Sequence, residues 1–343
     1  PGPGAAQAGY LLATLGEKQH QDKAKILKFI ELSVRASKFH ERSQLPALVK
    51  GAEICHLAGD KIGESDYINR ALKAPRNDAS ADLQMTDLQA ATSLRLALML
   101  AETGHQVEAQ NCIEVPLKRM HAMASHSGNW NEYMQFALAA AHQYRVAKMI
   151  PQSREVLQDA LKVALQRHMR SEAMAAELGL FGLDFDVENY PNAIKHATRS
   201  LDIFKNDDGP SPPPDLVLKS YHYKATAEYR NGQFAASYSD VLSGFDYLEK
   251  HPAADTLHDK AILTLYAGVD CSRLRQFEEA VKYLYQSRPL WEQIGSTDPV
   301  LGNTTLQTVT TELASALQAL GRESEAKAAQ DYLQTYLKNH HQK

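Results

Sequence analysis

Tyr223-Lys-Ala-Thr-Ala-Glu-Tyr-Arg-Asn-Gly-Gln-Phe234 holds the end of one helix, a stop, and the start of the next. Apolar and small residues recur at helical spacing up to Asn231-Gly232, where glycine suits a left-handed helix end. A second helix opens near Phe234 and carries Ser237, Val241, Gly244, Phe245 and Leu248 on one side. Between Leu218 and Gln293 the layout occurs twice, the second time as Gly268, Arg275-Gln-Phe277, Ala280, Leu284 and Ser287. Small residues stand where two antiparallel helices must touch, and an aromatic follows each turn.

The same unit extends in both directions. Glu64, Ala109, Ser153, Ala193, Ser237, Ala280 and Ala326 each fall early in a second helix, at successive spacings of 45, 44, 40, 44, 43 and 46. All but Glu64 are small. Such regularity over most of a chain marks a repeat architecture. Lys23 to Phe39 is a preceding helix with Ile26, Leu27, Ile30 and Val34 along one face. Turns are expected at Gly59-Asp60, Gly104, Lys148 to Pro151, Glu188 to Pro191, Asn231-Gly232, Arg275-Gln276 and Leu320-Gly321. Pro116 lies inside a second helix, where it must kink that helix or begin a new segment. Lys205-Asn-Asp-Asp-Gly-Pro-Ser-Pro-Pro-Pro214 is the strongest breaker in the chain. It either separates two lobes or is a long loop inside one continuous array, between residues 23–204, helix pairs with a capping helix, and residues 216–343, further pairs with a polar capping helix. Residues 205–215 form the loop between them, and residues 1–22 a flexible tail or cloning remnant.

Composition narrows the function. Hydrophobic residues at 44% and charged residues at 23% are those of a folded globular chain. No apolar run approaches the roughly 18 residues a membrane span needs. A balance of 37 basic against 41 acidic residues argues against direct nucleic-acid binding. Cys55, Cys112 and Cys271 are far apart and in apolar helical contexts, which predicts buried free thiols, no disulfide framework, and the cytoplasm. Phosphate-binding glycine loops, nucleophile elbows and paired metal-ligand motifs are missing. His121 and His126, five apart, do not share a helical face. The sequence therefore predicts no enzyme, no cofactor and no metal site.

The alternation of small contact residues, turn and aromatic resembles the tetratricopeptide repeat superfamily, in a long-unit form of about 40–46 residues against the common unit of about 34. The resemblance implies an all-α fold, a right-handed α-solenoid of about seven antiparallel helix pairs. Ala52, Ala97, Ala141, Ala225, Gly268 and Ala314 fill the family's small first-helix slot. Phe181 falls there in the fourth pair, followed by Gly182, which predicts a one-residue shift of that helix. The aromatic slot holds Tyr190, Phe234 and Phe277 but not the other turns.

The resemblance also implies that ligands dock on the concave face, lined by the first helices. Transferred to this chain, the groove positions are Glu53 and His56, then Gln135, His142 and Arg145, then Lys219, His222, Thr226, Tyr229 and Arg230, and Arg273. That set is cationic and aromatic, suited to an extended or acidic peptide held by charge-assisted hydrogen bonds from the arginines. Thr226 and His142 stand where the carboxylate-clamp subtype needs asparagine, and Lys219 alone matches it, which argues against a chaperone-tail adaptor. The leading expectation is a non-catalytic protein- or peptide-binding scaffold. The alternative is a regulatory or sensory domain of a larger signalling protein or transcription regulator. Homo-oligomerisation stays open.

Overall fold

The computed structural model of the chain describes residues 10–11, 13–14, 22–36, 44–73, 87–206, 209–252 and 257–340. Among them lie fifteen long helices: α1 Lys23–Ala36, α2 Gln44–Leu57, α3 Lys61–Lys73, α4 Asp87–Glu102, α5 Gln106–Ser127, α6 Asn131–Val146, α7 Ile150–Gln166, α8 Arg170–Asp186, α9 Tyr190–Asn206, α10 Pro214–Arg230, α11 Phe234–Lys250, α12 Leu257–Arg273, α13 Phe277–Thr297, α14 Pro299–Ala319 and α15 Glu323–His340. No described residue is in a strand. Most of the expected N-terminal tail, the loop after Ala74 and the last three residues lie outside the described residues. The chain divides into two compact units, Pro1–Val156 and Leu157–Lys343. The proline-rich segment lies inside the second unit, and the helices on either side of it, α9 and α10, pack on each other.

The repeat is written in the turns. Seven residues take a left-handed backbone between the helices of a pair: Gly59, Gly104, Lys148, Glu188, Gly232, Arg275 and Gly321, with φ from 58° to 86°. The next residue's N–H then reaches back to the carbonyl five positions earlier, as from Gln233 to Glu228 at 2.8 Å and from Gln276 to Cys271 at 2.8 Å. This closure satisfies carbonyls that the helix end leaves open. Three turns achieve it without glycine, against the steric cost of a Cβ in that region. Arg275→Gly should therefore raise the urea midpoint of unfolding by the equivalent of about 1 kcal/mol. An unchanged midpoint would mean that the left-handed turn carries no strain.

Each turn sets a fixed register between its helices. The seven second-helix anchors are all buried, from 0% to 1% exposed, including Glu64. Glu64 is tolerated because His56 Nδ1 lies 2.9 Å and Lys61 Nζ 3.1 Å from its carboxylate. Ser153 Oγ donates to the Ala141 carbonyl at 2.7 Å. Ser237 Oγ lies 2.9 Å from the Ala225 carbonyl, the equivalent bond one pair beyond the next. Close approach explains the small residues: a Cβ on Gly268 would meet Leu284 at 2.6 Å. The fourth pair keeps the common register, since Phe181 precedes its left-handed Glu188 by the same seven residues as Ala225 precedes Gly232. The expected shift is absent. Phe181 fits by stacking on Tyr223, with ring centroids 4.8 Å apart, and on Phe185. Pro116 does not begin a new segment, and α5 runs through it.

In the second unit the first helices also pack on one another, α8 on α10, α10 on α12, and α12 on α14. Second helices pack on first helices, with no comparably close packing among themselves in the described residues. The first-helix layer is thus the tighter, inner one. In the first unit α2, α4 and α6 line up in the same way, with α1 laid on α2. In unit two, Leu284, Trp291, Leu306 and Leu313 share one buried apolar cluster, and Leu218, Val241 and Leu263 another. Burial of such side chains is worth roughly 1.5–3 kcal/mol each, and each pair depends on its neighbour for it. The exposed side of α15 carries Glu323, Lys327, Gln330 and Gln334, as expected of a terminal helix facing water.

Candidate functional site

On the first unit, Gln135, His142 and Arg145 fall in one stripe of α6, at i, i+7 and i+10. Gln135 and His142 are exposed and Arg145 is half-buried. Glu53 on α2 is already bound, by Lys50 at 3.0 Å and by Arg95 of α4 at 3.2 Å. His56 is turned to Glu64.

The second unit offers a more connected arrangement. Lys219 is half-buried, 3.4 Å from Asp215 one turn earlier. Thr226 is hydrogen-bonded to Tyr266 of α12. Tyr229 packs against Tyr266 and Phe234, each with centroids 5.5 Å away. Its hydroxyl accepts a hydrogen bond from Arg273 Nη2 at 3.2 Å. The same guanidinium clasps Glu312 of α14 with both Nη atoms, at 3.0 and 2.7 Å. That carboxylate raises the Arg273 pKa further above its ordinary value. Tyr229, Arg273 and Glu312 form a ladder across three successive first helices, α10, α12 and α14. Beside it Arg230 is exposed, with no carboxylate at ion-pair distance among the described residues.

His222 behaves differently from its neighbours. It is 4% exposed, and its Nδ1 comes to 3.0 Å from Asp259 Oδ1 without the alignment of a hydrogen bond. Burial pushes its pKa down, with Asp259 opposing. The ring belongs to the wall between α10 and α12 and does not face a groove, because Asp259 of the adjoining first helix covers it.

Under the ladder lies a layer of buried polar groups that the sequence reading passed over. In every pair, one slot lies four residues before the left-handed turn and a second eight residues after it. In five pairs these hold Cys55 and Tyr67, Leu100 and Cys112, Tyr144 and Val156, Cys271 and Tyr283, and Leu317 and Ala329. In two consecutive pairs they hold Asp184 with His196, and Glu228 with Asp240. His196 Nδ1 is 2.6 Å from Glu177 and its Nε2 3.3 Å from Asp184. Lys224 Nζ bridges Asp240 at 2.8 Å and Glu228 at 3.6 Å. Glu228 is pushed up to about 8 by burial, with Asp240 adding to it and Lys224 opposing. Asp270 on α12 is fully buried and raised to about 7, again mainly by burial. An acid in a slot that is apolar in other repeats was visible once the repeats were aligned. Glu312 was not, since nothing local in α14 marks it.

Among the described residues no group of three or more His, Cys, Asp or Glu side chains could hold a metal ion. His121 instead packs edge-on to Trp130 and Tyr133, with centroids 5.1 Å away in both cases. The three cysteines are free and buried. No described helix is long and apolar enough to cross a membrane.

No protein-family model matches the chain, and no curated protein matches it. Solved structures do. A signal-transduction ATPase with numerous domains and a tetratricopeptide repeat sensor, from Pyrococcus horikoshii, aligns with a TM-score of 0.53 at 14% identity. The alignment covers 96% of this chain and 48% of that one, so the chain spans about half of that protein's length. The apo form of the quorum sensor NprR from B. thuringiensis aligns at 0.47 and 12% identity, over 97% of this chain and 87% of its own. A Rap protein complexed with competence and sporulation factor aligns at 0.43 and 12%, over 98% and 97%. The first likeness supports the fold and nothing beyond it: the chain has the helix-pair architecture of tetratricopeptide repeats.

Proposed function

We propose that this chain is a non-catalytic protein- or peptide-binding scaffold whose docking surface is the first-helix face. The observation that carries the reading is the second unit's ladder of Tyr229, Arg273 and Glu312, with Arg230 exposed beside it. A tyrosine fixed by a guanidinium gives a rigid aromatic platform, and a neighbouring unpaired cation gives a place for an anion. The ligand chemistry this suits is an extended peptide with an acidic side chain at the Arg230 end. Arg273 contributes less than its charge suggests, because Glu312 already neutralises it.

The regulatory version of the reading has its own support. One solved protein that shares the fold is named for a tetratricopeptide repeat sensor within a larger chain, and this chain matches about half of it. A sensory module joined to a separate output domain fits that proportion. Three buried free thiols suit a reducing compartment, and we assign the protein to the cytoplasm.

An array of decapeptides graded in acidic content tests the reading. Binding to acidic members should weaken about 10- to 100-fold in Arg230→Glu, the value of a charge-assisted hydrogen bond turned into a repulsion. Arg145→Glu measures the first unit's share separately. Retention of full binding by both variants would remove the first-helix face as the docking surface.

A further inference from the structure

The side chain of Ser237 makes two contacts that one hydroxyl hydrogen cannot serve in full. Its Oγ is 2.9 Å from the Ala225 carbonyl oxygen and 2.6 Å from Asp270 Oδ2. At the equivalent position Ser153 makes only the carbonyl bond, to Ala141. If Ser237 donates to Ala225 as Ser153 does, the shorter contact to Asp270 needs a hydrogen from the carboxyl itself. Asp270 Oδ1 is buried with no hydrogen-bond partner among the described residues. An ionised carboxylate left in that state loses its hydration without replacement, whereas a neutral acid loses far less.

We propose that Asp270 is a proton-binding site that holds the first-helix face of the second unit in its observed form, and that loss of the proton disorders the Tyr229–Arg273–Glu312 ladder. The proposal rests on the reading above in treating that face as the binding surface, and it adds the regulation of that surface.

The surroundings set the direction. On α12 itself Arg273 is one turn away and is the cation acting on Asp270, with Tyr266 one turn before it. From α10 come Lys224 and Glu228, tied together with Asp240 of α11, and Arg230, which acts on Tyr266. From α11 come Ser237 and Tyr238. From α13 come Glu279 and Tyr283, which act on the adjoining Cys271 and Tyr238, and from α14 Glu312 holds Arg273. Arg273 is already held by Glu312 and Lys224 by Asp240, and Arg230 is exposed to solvent, so no buried, uncommitted cation awaits an ionised Asp270. Burial places its titration near 7, where small changes of pH change its charge. Once ionised, it competes with Glu312 for Arg273, and Tyr229 loses its donor. The added negative charge also opposes an anionic ligand. Proton release therefore weakens acidic-peptide binding, and the face is in its binding form at the lower pH.

The test follows three signals between pH 5.5 and 8.5 in wild type and in Asp270→Asn, whose amide can donate to Ser237 without titrating. The ¹³C-carboxyl resonance of Asp270 in wild type should titrate near pH 7, and an ionised resonance at pH 6 would overturn the proposal even if the variant does not fold. Amide exchange in α12, corrected for its intrinsic pH dependence, should quicken about tenfold from pH 6 to 8 in wild type and clearly less in Asp270→Asn, where Glu228 still titrates. Equal profiles in the two proteins would also overturn it. Fluorescein-labelled hexaglutamate should bind wild type about fivefold more weakly at pH 8 than at pH 6, and Asp270→Asn equally at both. Binding that is insensitive to pH in wild type defeats the regulatory link but leaves the docking surface standing. If hexaglutamate binds at no pH while the exchange step persists, the acidic-peptide reading fails and the proton site is upheld.

Discussion

Gly302→Ala lowers the stability of the second unit by about 3 kcal/mol, at the upper end of what overpacking costs. The reason is what the new methyl would strike. A Cβ at 302 would sit 2.2 Å from Gly295 Cα, 2.5 Å from Gly295 N and 3.1 Å from the Trp291 carbonyl oxygen. All three are backbone atoms, so no rotamer change relieves the clash. Helices α13 and α14 must separate at the end where Asp298 caps α14 by accepting from the Leu301 N–H at 3.0 Å. Separation opens the interior beside Trp291, which is 2% exposed, and Ile294. Gly268→Ala is the comparison: its methyl meets mainly the Leu284 side chain, which has torsions free to yield. Urea denaturation of both variants checks the contrast. A Gly302→Ala midpoint no lower than that of Gly268→Ala would show that the α13–α14 contact is looser than described.

Glu228→Gln changes how stability responds to pH. The folded-state pKa of Glu228 is raised to about 8 from an ordinary 4.5, so the native protein binds a proton that the unfolded chain has already released. Its stabilising contribution is complete below about pH 4.5 and disappears as pH rises to about 8. Over that window the loss is on the order of 3–5 kcal/mol for a shift of this size. Glutamine keeps the hydrogen-bonding shape and does not titrate, so the variant should be the more stable protein at pH 8.5. Near pH 5 the two should differ little. Thermal midpoints at the two pH values decide it, and a parallel decline in both proteins would assign the titration to other groups.

What the sequence revealed and what it concealed divide along a physical line. Helix periodicity, turns and close-packed small residues are local or repeat with the unit, so Ala109, Ala193 and Ala280 could be placed before any coordinates. Even Glu64, the one large anchor, keeps its place because Lys61 pairs with it and His56 lies at hydrogen-bond distance. Exposure of a first-helix residue depends on the next first helix, which no local pattern reveals. His222 was assigned to a groove by its position in α10 and is covered by Asp259 of α12. Arg273 was read as an open cation and is held by Glu312, 39 residues away. Pro116 opens no new segment: a helix can continue past a proline when its flanking turns are packed, and α5 does so. The buried acids Glu228 and Asp270 have unremarkable neighbours in the chain. Their character comes from desolvation, which is a property of the assembled pairs.

The seven left-handed turns have an evolutionary consequence. Glycine, lysine, glutamate and arginine all occupy the same torsional position, so what recurs from turn to turn is an angle and not a letter. Descendants of one ancestral hairpin can thus lose every shared residue at the turn while their helices still meet in register, and kinship of this kind survives in shape long after spelling has erased it.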